Sequence, residues 1–183
     1  MRALLILGWF LPACHSFDGD ASVLSSDLSV LPPPTGPDLH VGWLSPGAWT
    51  GVTVTGISEG DEVHLARSGS TGSGPCWALL DGLCLDLVPP VRRFPVTYGQ
   101  PGGWAYVPVR VPMSAALGRP VSLQAVVFRD EGVLLTPAQA TSIEEAGGCI
   151  ALWDPVCGLD GVTYSNTCDA SMAGMVIDYE GTC

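Results

Sequence analysis

Along residues 38 to 143, apolar and polar side chains alternate in short runs that stop at Gly, Pro, Ser or Asp. A period of two places the apolar residues on one face of an extended chain, so the pattern predicts short β-strands, each with one buried face. Val52 and Val54 precede the turn Glu59-Gly60-Asp61, and Val63 and Leu65 follow it, with Thr53 and His64 at positions that face the other way. Two such runs around a Gly-containing turn predict a β-hairpin. In a later run Ala105, Val107, Val109 and Val111 share one face, while Trp104, Tyr106 and Arg110 share the other. Pro108 sits within that run and has no N–H for a ladder, which predicts an edge strand. Val121 to Phe128 is continuous enough to be a central strand.

Roughly seven short strands separated by turn signals predict an immunoglobulin-like β-sandwich. Composition agrees with a folded, mainly β chain. Hydrophobic residues make up 47% and charged residues only 14%, which excludes a disordered polymer. Gly 23 and Pro 16 favour turns over long helices. Asp and Glu number 18 against 7 basic residues, all of them Arg, giving a net charge of -11. Arg92-Arg93 is the one adjacent basic pair, and this balance argues against a nucleic-acid partner, because phosphate binding needs Lys and Arg to neutralise it. His15, His40 and His64 do not stand at ligand spacing, and the acidic residues show no EF-hand pattern, so neither a metal nor a cofactor is expected.

Residues 1 to 14, MRALLILGWFLPAC, join one Arg to an apolar run that ends at Leu11-Pro12-Ala13-Cys14. The run is shorter than the about 20 apolar residues that span a bilayer and fits the first two regions of a signal peptide. Its end resembles a bacterial lipobox, in which the cysteine is lipidated after cleavage; Pro12 departs from that pattern. Residues 15 to 37 are rich in Ser and Asp and end in a triple proline, which reads as a solvated tether. Seven cysteines is an odd number. With Cys14 assigned to lipid, Cys76, Cys84, Cys149, Cys157, Cys168 and Cys183 remain, enough for three disulfides in an oxidising compartment. A bridge from Cys76 to Cys84 would close a local loop and pin it, without joining two sheets.

Two patterns suggest chemistry and lack its context. Gly56-Ile57-Ser58-Glu59-Gly60 matches the G-x-S-x-G of a nucleophile elbow, but a strand follows it where that motif needs a helix. His64 also precedes Asp81 and Asp86, against the chain order of that hydrolase fold. Ser68 to Gly74 is Gly-rich without the Lys of a phosphate-binding loop. The chain is therefore not expected to be an enzyme.

After a linker, Pro137 to Gly148, the last 35 residues hold four cysteines, the density of a unit too small to be held by its core alone. Cys149-x7-Cys157-x10-Cys168, with Pro155-Val156-Cys157-Gly158, Asp160-Gly161, Thr163-Tyr164 and Asn166 between, resembles the Kazal family of serine-protease inhibitors. The resemblance implies bridges Cys149 to Cys168 and Cys157 to Cys183, and a short helix after Cys168 packed on a small hairpin. It also places the family's first cysteine near Gly147 and its fifth near Ser171 or Met172, so one bridge is missing at both ends. It further implies a substrate-like loop, Cys149, Ile150, Ala151, Leu152, Trp153 and Asp154, with Ala151-Leu152 as the bond offered to the enzyme. Ala151 would enter the specificity pocket, which suits enzymes of elastase or subtilisin type and not trypsin.

Asn166, the one asparagine of the chain, falls where the family buttresses that loop; its other reading is a turn residue. Tyr164 reads as core, and Asp154, Asp160, Asp169, Asp178 and Glu180 as a solvated face. The expected organisation is a signal peptide over 1–14, a tether over 15–37, a β-sandwich over 38–143 and a disulfide-rich α+β unit over 144–183. The expected protein is an exported, monomeric bacterial lipoprotein on the outer membrane or cell surface, or else a secreted one, that inhibits small-pocket serine proteases. The alternative is an adhesion or structural protein that uses the Kazal-like unit as a stapled spacer.

Overall fold

A computed structural model describes residues 36–183; Cys14, His15 and the tether up to residue 35 lie outside the described residues. Nine strands build two sheets that face each other. They are β1 (Asp38–Val41), β2 (Trp49–Thr55), β3 (Glu62–Ser68), β4 (Arg92–Arg93), β5 (Thr97–Tyr98), β6 (Trp104–Arg110), β7 (Pro120–Arg129), β8 (Gly132–Leu135) and β9 (Gln139–Ser142). One sheet runs β1-β2-β6. In the other, β3 and β7 pair at the centre, β4 and β5 flank β3, and β8 and β9 flank β7. All of the pairings are antiparallel.

Val52, Val54, Ala105 and Val107 from the first sheet meet Val63, Leu65, Leu123, Ala125 and Val127 from the second in one buried cluster. These are the apolar positions of each alternation, turned inward because burying them is the main favourable term in folding. Pro108 lies on β6, which pairs on one side only, and β7 is central.

The hairpin expected around Glu59-Gly60-Asp61 does not form. β2 pairs with β1 and β6, β3 pairs with β4, β5 and β7, and the turn carries the chain from one sheet to the other. Alternation specifies which face is buried and not which strand lies alongside, so two strands that oppose across the core have the same pattern as two in one sheet. The crossing is fixed by Asp61, which is buried, accepts from the Ser58 N–H at 2.8 Å and pairs with the Arg129 guanidinium at 2.8 Å.

The segment bridged by Cys76–Cys84 does more than close an exposed loop. Leu80, Leu85 and Leu87 fold back onto the outer face of the second sheet and pack with Ala66 and Val126 in a second cluster. Gln124, fully buried beneath them, donates to the Thr136 carbonyl at 2.9 Å and accepts from the Asp86 N–H at 2.9 Å. With core on one side and this flap on the other, β7 is covered on both faces, which accounts for the unbroken burial of residues 122–127.

The last residues form a second, smaller assembly. β10 (Val156–Gly158) pairs with β11 (Thr163–Tyr164) and β12 (Ile177–Glu180), and the helix α1 (Thr167–Ala173) lies between β11 and β12 in the chain. Cys168 lies in the first turn of α1, so the helix begins before that cysteine and not after it.

Candidate functional site

Residues 149–154 form no helix or strand, yet the segment is held at several points. Cys149 is bonded to Cys168 in α1, and Cys157 to Cys183. The Asp154 N–H donates to the Ser165 carbonyl at 2.9 Å. The Leu152 N–H donates to the Ile150 carbonyl at 2.8 Å, the closure of a γ-turn around Ala151. Ile150 (76% exposed), Leu152 (54%) and Trp153 (68%) project outward, and Ala151 and Asp154 are also exposed. An apolar trio this exposed is costly to solvate, so its conformation is maintained by the anchors and not by burial.

Asn166 is the central anchor. It is only 8% exposed and is the N-cap of α1, where its Oδ1 accepts from the Asp169 N–H at 3.0 Å. Its Nδ2 donates to the Leu152 carbonyl at 3.0 Å and to the Ile150 carbonyl at 3.4 Å. One amide therefore starts the helix and spans the carbonyls on either side of Ala151, with its acceptor and both donors engaged. The two readings of Asn166, turn residue and loop support, describe the same side chain. Asp169, at the positive end of the helix, adds a favourable charge near the cap.

Asp160 is half-buried and does not belong to a solvated face. Its carboxylate accepts from the Tyr164 hydroxyl at 2.9 Å and from the Val162 N–H at 3.1 Å, closing the turn at Gly161. Burial, then the bond to Asp160, hold the Tyr164 phenol well above the usual tyrosine range. Burial and the Asp160 charge raise Tyr106 in the same direction.

Four residues of the sandwich to which the sequence assigned no functional role reach this unit. Trp43 N–H and Thr50 Oγ1 donate to the Met172 carbonyl at 3.1 and 2.9 Å, Thr53 Oγ1 to the Gly174 carbonyl at 2.6 Å, and the Tyr106 hydroxyl to the Ala173 carbonyl at 3.4 Å. A polar residue on the outer face of a strand reads as solvent-facing, so Thr53 gave no signal; here it is fully buried.

No group of three metal-ligating side chains gathers among the described residues, and none of their helices is long and apolar enough to cross a membrane. Ser58 lies in the crossing turn, while His64 Nε2 lies 2.6 Å from Glu62 Oε1, so no serine–histidine pair of a hydrolase is assembled there.

Residues 138–183 match the Kazal-type serine protease inhibitor domain, a stretch whose first residues belong to β9 and whose remainder contains the loop, α1 and both bridges. Among curated proteins, the chain is similar to serine protease inhibitor Kazal-type 1 of Sus scrofa, 53% identical over 30 residues, covering 16% of this chain and 54% of that protein. The same inhibitor of Bos taurus is 44% identical over 39 residues, covering 21% and 49% of the two chains, and that of Mus musculus 44% over 34 residues, covering 19% and 42%. The chain thus spans about half the length of the curated relatives it matches.

Proposed function

We propose that the C-terminal unit inhibits serine proteases by presenting residues 149–154 as a substrate that is already held in its bound shape. The observation that carries this reading is the Asn166 amide spanning the Ile150 and Leu152 carbonyls, beside the Cys149–Cys168 bridge. A loop fixed before binding loses little conformational entropy in the complex, which is where its affinity comes from. If the enzyme cuts the Ala151–Leu152 bond, the same anchors keep the new ends together, so cleavage is slow and reversible. Ala151 offers a methyl group to the specificity pocket, which favours elastase- or subtilisin-type enzymes over trypsin. The sandwich carries the inhibitor, lipidated Cys14 anchors it to an outer membrane or cell surface after export, and the protein acts as a monomer. Release without the lipid, as a secreted protein, keeps the same inhibitory chemistry.

The test is Ala151→Arg in the full oxidised protein: inhibition moves from elastase-type enzymes toward trypsin. A profile indifferent to residue 151 contradicts the loop assignment. Cys14→Ser tests the anchor, moving the protein from membrane to soluble fractions. One observation favours a second reading, adhesion: the Cys76–Cys84 flap leaves Trp77, Leu79 and Leu83 exposed beside its buried leucines.

A further inference from the structure

The carbonyls at the end of a helix have no donors within the helix and must find them elsewhere. In α1 the Ala170 and Ser171 carbonyls are met by the N–H groups of Gly174 and Met175, and those that follow find donors in the sandwich. Trp43 and Thr50 donate to Met172, Tyr106 to Ala173 and Thr53 to Gly174. Thr53 is fully buried on the outer face of β2, a place a strand ordinarily leaves to solvent, and Thr50, three residues earlier and in register with Val109, is buried as well. The approach is backbone against backbone. A Cβ at Gly174 would collide with the Gly51 carbonyl oxygen and the Gly42 nitrogen, and one at Gly42 with Thr50 Oγ1 and the Gly174 nitrogen. Gly174 also sits at φ 72°, in the left-handed region that ends a helix and favours glycine.

Trp43 takes hold of the unit twice. Its N–H binds the Met172 carbonyl, and its indole lies where a Cβ on Gly147, two residues ahead of the loop, would have to go. The Met172 side chain in turn places its sulfur 3.3 Å from Cys149 Sγ. The resemblance to the Kazal family implies its two missing cysteines near Gly147 and near Ser171 or Met172. Trp43 therefore adds a non-covalent tie between Gly147 and the end of α1 to the covalent one from Cys149 to Cys168.

We infer that the sandwich is part of the inhibitor and not only its carrier: Trp43, Thr50 and Thr53 are positioning residues that fix α1, and through Asn166 at its other end they fix the loop around Ala151. This inference rests on the inhibitor reading, and its test separates the two. Thr50→Val and Thr53→Val each keep the shape of the side chain and remove the donor; Thr50→Ser and Thr53→Ser restore it. In the full oxidised protein three quantities are measured: inhibition of an elastase-type protease, the rate of cleavage at Ala151–Leu152, and, with no protease present, hydrogen exchange of the Leu152 N–H and the Asn166 side-chain amide.

Loss of about one hydrogen bond's worth of positioning corresponds to about tenfold weaker inhibition, faster cleavage and exchange faster by a similar factor in the valine variants, with recovery in the serine variants. Valine variants that melt at a lower temperature but inhibit and exchange like the parent overturn the inference, since Thr50 and Thr53 would then only stabilise the fold. If Thr53→Val does not fold, the less deeply placed Thr50→Val is read in the same way. A parent protein that inhibits nothing, while the valine variants still speed exchange at Leu152 and Asn166, overturns the inhibitor reading and leaves the positioning standing. Failure of both readouts overturns both.

Discussion

Replacing Asn166 by Asp separates its two roles. The carboxylate keeps an oxygen for the Asp169 N–H, and Asp caps a helix about as well as Asn, so α1 keeps its start. Both donors to the loop disappear. The bond to the Leu152 carbonyl, at 3.0 Å, is of ordinary length and stabilises by about 1 kcal/mol net; the bond to Ile150, at 3.4 Å, is long and adds about half of that. The loss of about 1.5 kcal/mol corresponds to a little more than tenfold in affinity. A new negative charge facing two carbonyl oxygens and neighbouring Asp169 acts in the same direction. The assay is the inhibition constant against an elastase-type protease, together with the rate at which the Ala151–Leu152 bond is cut and the melting temperature. Asn166→Asp should inhibit at least tenfold less well and be cleaved faster. Asn166→Ala should do the same and lose about 1 kcal/mol more of stability, because it also removes the cap. Asn166→Asp with the inhibition and cleavage of the parent protein would refute the reasoning, since the amide would then contribute nothing to the loop.

Other consequences follow from the same geometry. Removing the Cys76–Cys84 bridge with paired serines should lower stability by roughly 2 to 3 kcal/mol in urea unfolding and leave inhibition unchanged, since the flap lies on the second sheet and α1 docks on the first. Tyr164 and Tyr106 resist ionisation more when folded than when unfolded, where a tyrosine titrates near 10. Their contribution is therefore intact below about pH 10 and is lost as the pH rises beyond it, so urea unfolding at pH 8 and at pH 10.5 should show a larger alkaline loss for the parent than for Tyr164→Phe; equal losses would contradict the assignment. Arg67 and Arg92 lie directly opposite each other across β3 and β4, so Arg92→Gln should stabilise the sandwich by a few tenths of a kcal/mol at low salt, an effect that fades as salt is added.

Much of the sandwich was legible because burial imposes a period of two. Val52, Val54, Val63, Leu65, Ala105 and Val107 announce their faces, and Pro108 announces an edge. Partnership was not legible, and β2 and β3 were misread as a hairpin because the same pattern serves a strand and the strand facing it across the core. The C-terminal motif was legible from cysteine spacing, since a unit this small depends on where its cross-links fall. Thr50, Thr53 and Trp43 were invisible because their partners are backbone carbonyls more than a hundred residues away, and a carbonyl leaves no trace in residue identity. Arg67, Arg92 and Arg119, separate in the chain, line one cavity at the edge of the second sheet, although the sequence showed only the pair Arg92-Arg93. Asp160 looked like surface charge because its tie to Tyr164 spans a turn and not a helix or ladder repeat.

The account stands most directly on titration of the full oxidised protein against an elastase-type enzyme, a subtilisin-type enzyme and trypsin, following residual activity and loop cleavage together. It predicts tight inhibition of the first two with slow cutting at Ala151–Leu152, and little effect on trypsin. Intact protein that leaves all three enzymes fully active, or whose loop is simply digested, would contradict it.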